Sequence, residues 1–279
     1  MVKNISSSAQ SAGEQGSPIL QVQNVSVNYG SVQALHNASL SVRQGSICGL
    51  IGMNGSGKST LFKAIMGVHH AQSGSVLIDN RAPALARKAG TVSYVPQSED
   101  IDWSFPVSVG EVVAMGRYRN LGLTRRLRPA DKLAVQHALE RVELHELAHR
   151  QIGALSGGQR KRAFVARAIA QGAQLLLLDE PFAGVDKRSE SMLVEVLQQL
   201  RDEGASVLIS THDLASLRTF ADDAVLLRKT VLMQDTPDRV LQPQNLMRAF
   251  GMEVDAGSAS SPQAELSNVD LSREGSKSD

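Results

Sequence analysis

The segment GMNGSGKS, Gly52 to Ser59, restricts the fold more than any other part of this sequence. It fits the pattern G-x-x-x-x-G-K-[ST] and joins a short apolar segment at 46–52 to a helix-forming segment at 58–66. Its glycines allow successive backbone N–H groups to point at phosphate oxygens, and the helix N-terminus beside them attracts the same anion. The segment therefore predicts a nucleotide triphosphate site between a strand and a helix.

Two side chains of this loop have distinct chemistry. Lys58 supplies a positive charge for the β- and γ-phosphates, and the Ser59 hydroxyl is a hard oxygen ligand that suits Mg²⁺. The predicted nucleotide-binding residues of the loop are Gly52, Asn54, Gly55, Ser56, Gly57, Lys58, Ser59 and Thr60. The loop therefore predicts a nucleotide triphosphate bound with Mg²⁺, but it does not by itself identify the P-loop family.

The rest of the chain predicts one α/β domain at 19–251 with a flexible segment on each side. Residues 1–18 and 252–279 are rich in serine and poor in apolar side chains, so we expect both to be flexible. Strand patterns that alternate with helix patterns indicate a mostly parallel sheet covered on both faces. A helix-rich stretch at about 98–170 interrupts that alternation and predicts a helical insertion.

A pair of carboxylates follows the apolar run LLLL at 175–178. Asp179 stands at the mouth of a predicted buried strand, where a carboxylate reaches Mg²⁺ directly or through water. The adjacent Glu180 is the candidate general base for an attacking water. The alternative is an acidic strand end that faces solvent.

The sequence LSGGQ, Leu155 to Gln159, distinguishes among the P-loop families. Together with the loop at 52–59 and LLLLDEP at 175–181, it makes the chain resemble the ATP-binding subunit of an ABC transporter over about 19–251. The resemblance implies a P-loop NTPase (RecA-like) sheet core with an antiparallel β portion and a helical insertion.

The resemblance also implies roles for residues elsewhere in the chain. Tyr29 in NYGSVQAL matches the aromatic residue that stacks on adenine, and Gln97 in YVPQ matches the glutamine that senses Mg²⁺ and the attacking water. Asp186 in FAGVD matches a loop that touches the opposite subunit, with GVD in place of the commoner ALD. His212 in STHDL matches the histidine that contacts the γ-phosphate. The expected catalytic residues are Glu180, His212 and Gln97, and Ser59, Gln97 and Asp179 are the expected Mg²⁺ ligands.

Proteins of this family work as head-to-tail dimers. The resemblance implies that Ser156, Gly157, Gly158 and Gln159 of one chain cover the ATP bound by the other chain. A helix that begins at this signature would give a second anion-binding surface, so ATP would hold two protomers together.

A narrower resemblance rests on residues 94–118 and on PFAGVD at 181–186. Both are similar to the branch that serves importers of manganese and of chelated or ferrous iron; zinc or another substrate remains the alternative. This resemblance implies integral membrane permease subunits, an extracytoplasmic metal-binding protein, and a peripheral position on the cytoplasmic face of the cell (inner) membrane. The sequence does not identify the metal or the role of the two terminal segments.

Composition argues against several other classes. The formal net charge is +1 and the basic run Arg160–Lys161–Arg162 favours a solvated helix face, so we expect no nucleic-acid partner. The single cysteine, Cys48, excludes an intrachain disulfide and is expected to be a small buried apolar residue. A soluble ABC-type ATPase acting on DNA or ribosomes would have a long coiled coil or a second copy of each motif. A P-loop kinase or GTPase would lack LSGGQ.

Overall fold

A computed structural model of the chain describes residues 18–97, 106–121 and 126–250. The predicted flexible segments at 1–18 and 252–279 lie outside this range, apart from Pro18, which begins the first strand. Part of the segment 94–118, including Trp103, also lies outside it. The fold below is that of the described residues.

Two β-sheets form the framework. The strands β1 (Pro18–Tyr29), β2 (Val32–Arg43) and β4 (Ser73–Ile78) make an antiparallel sheet in the order β2-β1-β4. The second sheet contains β3 (Ile47–Ile51), β5 (Val92–Val95), β6 (Leu175–Asp179), β7 (Ser206–Ser210), β8 (Asp223–Arg228) and β9 (Thr230–Asp235). Its order is β5-β6-β7-β3-β8-β9, with all neighbours parallel except β9, which is antiparallel to β8.

The central strands are apolar on both sides, and their side chains alternate between two cores. Leu176 and Leu178 belong to one hydrophobic cluster, while Leu175 and Leu177 belong to the other. This period of two places the continuous leucine run on both faces of the sheet. The second cluster also contains the inward side chains of the antiparallel sheet, so that sheet packs against one face of the larger one.

Helices cover the remaining surfaces. The helix α1 (Lys58–Ile65) follows β3 and contributes Leu61, Phe62 and Ile65 to the core shared with the antiparallel sheet. The other helices between β4 and the last strand are α2 (Pro83–Ala89), α3 (Val109–Ala114), α4 (Pro129–Arg141), α5 (Gly157–Gln171), α6 (Lys187–Asp202) and α7 (Leu214–Phe220). Short 3₁₀ helices span Met115–Asn120, His145–Leu147 and Ile152–Ala154, and α8 (Pro237–Val240) and α9 (Pro243–Phe250) follow the last strand.

The helices α3, α4 and α5 pack on one another beside the parallel sheet. A capping box begins α3: the Ser108 Oγ accepts from the Glu111 N–H at 3.2 Å, and the Glu111 carboxylate accepts from the Ser108 N–H at 2.8 Å. One face of α4 is apolar, and its side chains Val135, Ala138 and Leu139 are buried in the same cluster as α5 side chains. In the described ranges, no helix has the length and apolar character needed to cross a membrane.

Candidate nucleotide site

The glycine-containing loop connects β3 to α1 as predicted. Gly57 precedes the helix with φ of +102°, a backbone conformation that residues other than glycine rarely adopt. A Cβ atom at Gly57 would lie 2.7 Å from the Ala34 carbonyl oxygen, and one at Gly52 would lie 2.4 Å from the Leu227 carbonyl oxygen. The loop therefore fits against β2 and β8 only when glycine occupies both positions.

Lys58 folds back over this loop. Its Nζ donates to the carbonyl oxygens of Gly52 at 2.7 Å and Met53 at 3.2 Å, and lies 3.7 Å from Oε1 of Glu180. Burial lowers the pKa of Lys58, and the negative charges of Glu180 and Asp179 oppose that shift. The ammonium group is thus held in a buried position beside the two predicted carboxylates.

The other loop residues surround the helix start. Ser59 and Thr60 are half-buried in the first turn of α1, whereas Asn54 and Gly55 are exposed. Ser56 is buried, and its Oγ has no hydrogen-bond partner among the described residues. The backbone carbonyl of Ser56 accepts from the Lys229 N–H at 2.7 Å, in the turn between β8 and β9, so that turn supports the loop.

Ser210, which the sequence analysis did not select, connects the two carboxylate residues. Its Oγ donates to Oδ1 of Asp179 at 2.7 Å and accepts from the backbone N–H of Glu180 at 2.9 Å. Asp179 and Ser210 are paired at the carboxyl ends of the parallel strands β6 and β7. The sequence signal for Ser210 was a polar residue at the end of a buried strand, because the carboxyl ends of parallel strands meet at one edge of the sheet.

Glu180 lies at the centre of the predicted catalytic residues. Its Oε2 accepts from Nε2 of Gln97 at 2.6 Å, and its Oε1 lies 2.5 Å from Nε2 of His212. Its backbone has φ of +50°, a region that non-glycine residues seldom occupy and that often marks functional sites. The structure therefore brings Gln97, Glu180 and His212 together, although they are distant in sequence.

Tyr94 is a second residue that the sequence analysis did not assign to the site. Its hydroxyl hydrogen-bonds the Asp179 carboxylate, and its ring centroid is 5.8 Å from that of Phe62 in α1. Burial and then the negative charge of Asp179 raise the pKa of Tyr94. Asp179 is thus held by two hydroxyl groups, one from each neighbouring strand.

Tyr29 lies at the end of β1, with 42% of its surface exposed. It pairs with Val32 at the start of β2, the strand whose Ala34 carbonyl contacts the loop at Gly57. The His69 ring makes an edge contact with Tyr29, with centroids 5.0 Å apart and planes at 88°. An exposed aromatic ring therefore stands on the strand pair that borders the phosphate loop.

The signature residues begin α5, as predicted. Ser156 and Gln159 cap the helix: Oγ of Ser156 accepts from the Gln159 N–H at 3.3 Å, and Oε1 of Gln159 accepts from the Ser156 N–H at 3.0 Å. Among the described residues, these side-chain bonds stay within the signature and do not reach the loop at 52–59. Gly158 instead packs on the acidic loop of the same chain, where an added Cβ would lie 3.3 Å from Oδ2 of Asp186.

Asp186 is the N-cap of α6. Its Oδ1 accepts from the Ser189 N–H at 3.0 Å and its Oδ2 accepts from the Ser189 hydroxyl at 2.8 Å. These bonds hold the pKa of Asp186 below its ordinary value. Asp186 therefore stabilises the loop before α6, and the signature glycines of the same chain contact this loop.

The prediction of a solvated face for the basic run is wrong at Arg162. Its side chain is buried, and Nη1 donates to the Val142 carbonyl at 3.0 Å. Lys161 donates to the backbone carbonyl of Gln97, which links α5 to the segment that contacts Glu180. Arg160 also donates to the Leu155 and Gly153 carbonyls, at 3.0 Å and 3.2 Å, so all three cations hydrogen-bond within the domain.

The donor set fits a magnesium nucleotide. Ser59, Gln97 and Asp179 offer the hard oxygen atoms that Mg²⁺ prefers, and Asp179 is buried. The start of α1 has no acidic side chain, so its N–H groups and the Lys58 ammonium present only positive charge to a phosphate. The buried and unpaired Ser56 hydroxyl offers one more donor in the same loop.

Comparison with known sequences gives a consistent result. The family model described as ABC transporter matches residues 35–183, more than half of the chain. The chain is 48% identical over 235 residues to the chelated iron transport system membrane protein YfeB of Yersinia pestis, covering 84% of this chain and 79% of that protein. It is also 48% identical over 233 residues to the manganese transport system ATP-binding protein MntA of Synechocystis, covering 83% of this chain and 90% of that protein.

Solved structures share the fold. A metal-chelate type ABC transporter in an inward-facing conformation superposes with a TM-score of 0.73 at 28% identity, covering 84% of this chain and 89% of that chain. An ATP-binding cassette of an ABC transporter in its ADP conformation superposes with a TM-score of 0.70 at 25% identity, covering 85% of this chain and all of that one.

Proposed function

This chain belongs to the ABC transporter family and is an ATPase, and on that premise we propose that it powers an importer of divalent metal ions, manganese or iron. The observation that supports the motor role most directly is the convergence of Gln97, Lys58 and His212 on Glu180. The metal assignment rests on the names of the relatives, since metal selectivity belongs to partner subunits.

We assign Glu180 as the general base. Gln97 and His212 hold its two carboxylate oxygens in place, so the group is oriented before a water molecule arrives. The strained backbone at Glu180 and its N–H bond to Ser210 fix where the side chain leaves the strand end. In this proposal, Glu180 takes a proton from the water that attacks the γ-phosphate, and His212 also contacts that phosphate.

The phosphates lie on the loop at 52–59 in this proposal. The loop N–H groups and Lys58 bind them, Tyr29 stacks on the adenine, and Ser59, Gln97 and Asp179 would hold Mg²⁺. Bound Mg²⁺ would neutralise part of the charge on the β- and γ-phosphates. To reach a phosphate, the Lys58 ammonium must leave the carbonyl oxygens of Gly52 and Met53. It then exchanges two neutral acceptors for a charged one, which forms the stronger hydrogen bond.

We further propose a homodimer in which Ser156, Gly157, Gly158 and Gln159 of each chain cover the partner's ATP. The start of α5 suits this role, because its capping box involves the N–H groups of Ser156 and Gln159 and its first turn contains no acidic side chain. Hydrolysis removes the γ-phosphate from between the two surfaces and favours the open dimer. Permease subunits, an extracytoplasmic metal-binding protein and a peripheral position on the inner membrane complete the proposal.

Uptake of labelled manganese, iron(II) and zinc tests the metal assignment. Cells would carry either the native gene or Glu180→Gln at its chromosomal position, so that every natural partner is present. We expect loss of manganese or iron uptake in the variant with zinc uptake unchanged. Selective loss of zinc uptake would overturn the metal assignment, and unchanged uptake of all three metals would overturn metal import.

The dimer is tested on the purified chain. Glu180→Gln retains the phosphate loop and the signature, so ATP should produce a dimer that persists because hydrolysis is blocked. Light scattering with ATP and with ADP measures this directly. A second variant with Gly157→Glu places a carboxylate at the start of α5, and it should prevent the ATP-dependent dimer while ATP still binds the loop. A variant with Glu180→Gln that stays monomeric with ATP would contradict the dimer.

A further inference from the structure

Four polar side chains form a cluster at one edge of the site: Lys187, Glu190, Asp213 and Ser216. Nζ of Lys187 lies 3.1 Å from Oε2 of Glu190 and 3.3 Å from Oδ2 of Asp213. The Ser216 hydroxyl lies 3.0 Å from Oε1 of Glu190 and 2.8 Å from Oδ2 of Asp213. We call these four residues the α6–α7 cluster.

The electrostatics of the cluster depend on Lys187. Two carboxylates share one ammonium group and one hydroxyl, and the Glu190 side chain is only 10% exposed while that of Lys187 is 82% exposed. The hydrogen bonds to Glu190 and Asp213 raise the pKa of Lys187, and the Ser216 N–H lowers the pKa of Asp213. Without Lys187, two negative charges would face each other across a single hydroxyl, which is unfavourable for a half-buried pair.

The cluster joins two loops that both lead to the site. Lys187 directly follows Asp186, the N-cap of α6 in the loop that Gly158 touches. Asp213 directly follows His212 and caps α7 by accepting from the N–H groups of Ala215 and Ser216. The position of Asp213 therefore determines where the His212 backbone lies relative to Glu180.

We propose that the α6–α7 cluster positions His212 against Glu180 and ties that contact to the loop containing Asp186. The cluster residues are positioning residues, because in the described part of the chain their hydrogen bonds and ion pairs reach neither the phosphate loop nor Glu180. The inference rests on the proposed roles of Glu180 and His212. It adds a physical route by which a displacement of the Asp186 loop reaches the histidine, through Lys187 and Asp213.

The test compares the steady-state ATPase kinetics of three variants. Lys187→Met removes the shared cation and keeps the aliphatic length, so the two carboxylates repel and Asp213 moves. We expect kcat to fall by up to about 10²-fold, the loss that a misplacement of about 1 Å can cause, and KM for ATP to stay unchanged. Lys187→Met combined with Glu190→Gln removes the repulsion as well, so kcat should recover in part. Arg239→Met is the control, because Arg239 in α8 makes a comparably exposed pair at 3.1 Å with Asp235 at the end of β9, and its loss should leave kcat unchanged.

Partial recovery in the double variant distinguishes positioning from a loss of folding. A structural role alone would lower the thermal midpoint and the fraction of the protein that binds ATP, which nucleotide titration measures, and kcat expressed per ATP-binding site would stay normal. The inference is overturned if Lys187→Met has normal kcat, or if the double variant is as slow as the single one. Failure of the proposed function is separate: Glu180→Gln would then hydrolyse ATP at the normal rate.

Discussion

Nε2 of His212 lies 2.5 Å from Oε1 of Glu180, closer than the Lys58 ammonium, which is 3.7 Å from the same oxygen. The histidine side chain is half exposed, whereas the glutamate side chain is nearly buried. A buried carboxylate thus has its main side-chain partner at the solvent boundary, where a γ-phosphate can displace or join the imidazole. The contact orients Glu180 and leaves His212 at the position that its proposed role at the γ-phosphate requires.

We expect His212→Ala to lower kcat for ATP hydrolysis by about 10²-fold, the usual loss when one well-placed polar group is removed from a reaction centre. The variant should still bind ATP, because the loop at 52–59 is unchanged. Steady-state kinetics and nucleotide titration separate the two effects. His70→Ala removes an exposed histidine and serves as the control. A normal kcat in His212→Ala would remove this residue from the mechanism.

Ser210→Ala should reduce both stability and activity. The substitution leaves the Glu180 N–H and one Asp179 oxygen without their buried partner, at a cost of about 1–3 kcal/mol in the free energy of unfolding. The strand end then no longer holds the backbone of Glu180, so kcat should fall as well.

A matched control comes from the other end of the same strand. Ser206 is equally buried, and its Oγ accepts from the Gly45 N–H at 2.9 Å. Ser206→Ala should therefore lower the free energy of unfolding by a similar amount and leave kcat unchanged. Chemical denaturation and ATPase assays on both variants provide the comparison. Equal kcat values would show that Ser210 has no part in positioning Glu180.

The sequence predicted the backbone of the site better than its side-chain contacts. The loop at 52–59, the strand that ends at Asp179 and the helix that begins at the signature all follow from local patterns of glycine, apolar residues and caps. Ser210 and Tyr94 were missed because their bonds to Asp179 depend on which strands are neighbours. Strand order is a property of the whole sheet, and no local pattern encodes it.

Arg162 shows the same limit for charged residues. Three consecutive cations on a helix look alike in sequence, and only the packing of α4 and α6 against α5 decides which one is buried. The buried Arg162 guanidinium lies near the end of α4, where it donates to the Val142 carbonyl. The expectation that Cys48 is a small buried residue is confirmed. It lies within β3, in which every residue is buried.

Cys48 should resist thiol reagents in the folded protein. Its side chain is fully buried, and burial followed by the negative charge of Asp223 raises the pKa of the thiol. Because the folded-state pKa is raised, the neutral thiol persists as the pH increases, and the reactive thiolate is scarce even at pH 9. Alkylation with iodoacetamide, followed by mass measurement, should detect modification only after denaturation. An introduced Gln44→Cys, at an exposed position, should react in the native state.

The ion pair between Arg117 and Asp131 should make the stability of the helical part depend on pH. Nη2 of Arg117 lies 2.8 Å from Oδ1 of Asp131, and Nη1 of Arg117 donates to the Ala170 carbonyl at 3.0 Å, so the pair joins the start of α4 to the end of α5. The hydrogen bond from Arg117 lowers the pKa of Asp131 in the folded state. A lowered pKa means that its stabilisation is present above the unfolded value, about pH 4, and is lost as the pH falls through the folded value.

Asp131→Asn should therefore have a lower unfolding midpoint in urea than the native chain at pH 7, and the difference should shrink as the pH falls below about 4. Glu140→Gln is the control, because this exposed carboxylate on the same helix accepts, among the side chains that the structure describes, only from Gln136 at 2.8 Å. Midpoints measured at pH 7, 5 and 3.5 give the comparison. If the difference between Asp131→Asn and the native chain were constant across that range, the Asp131 carboxylate charge would not be the source of the stabilisation, and packing of the side chain would account for it instead.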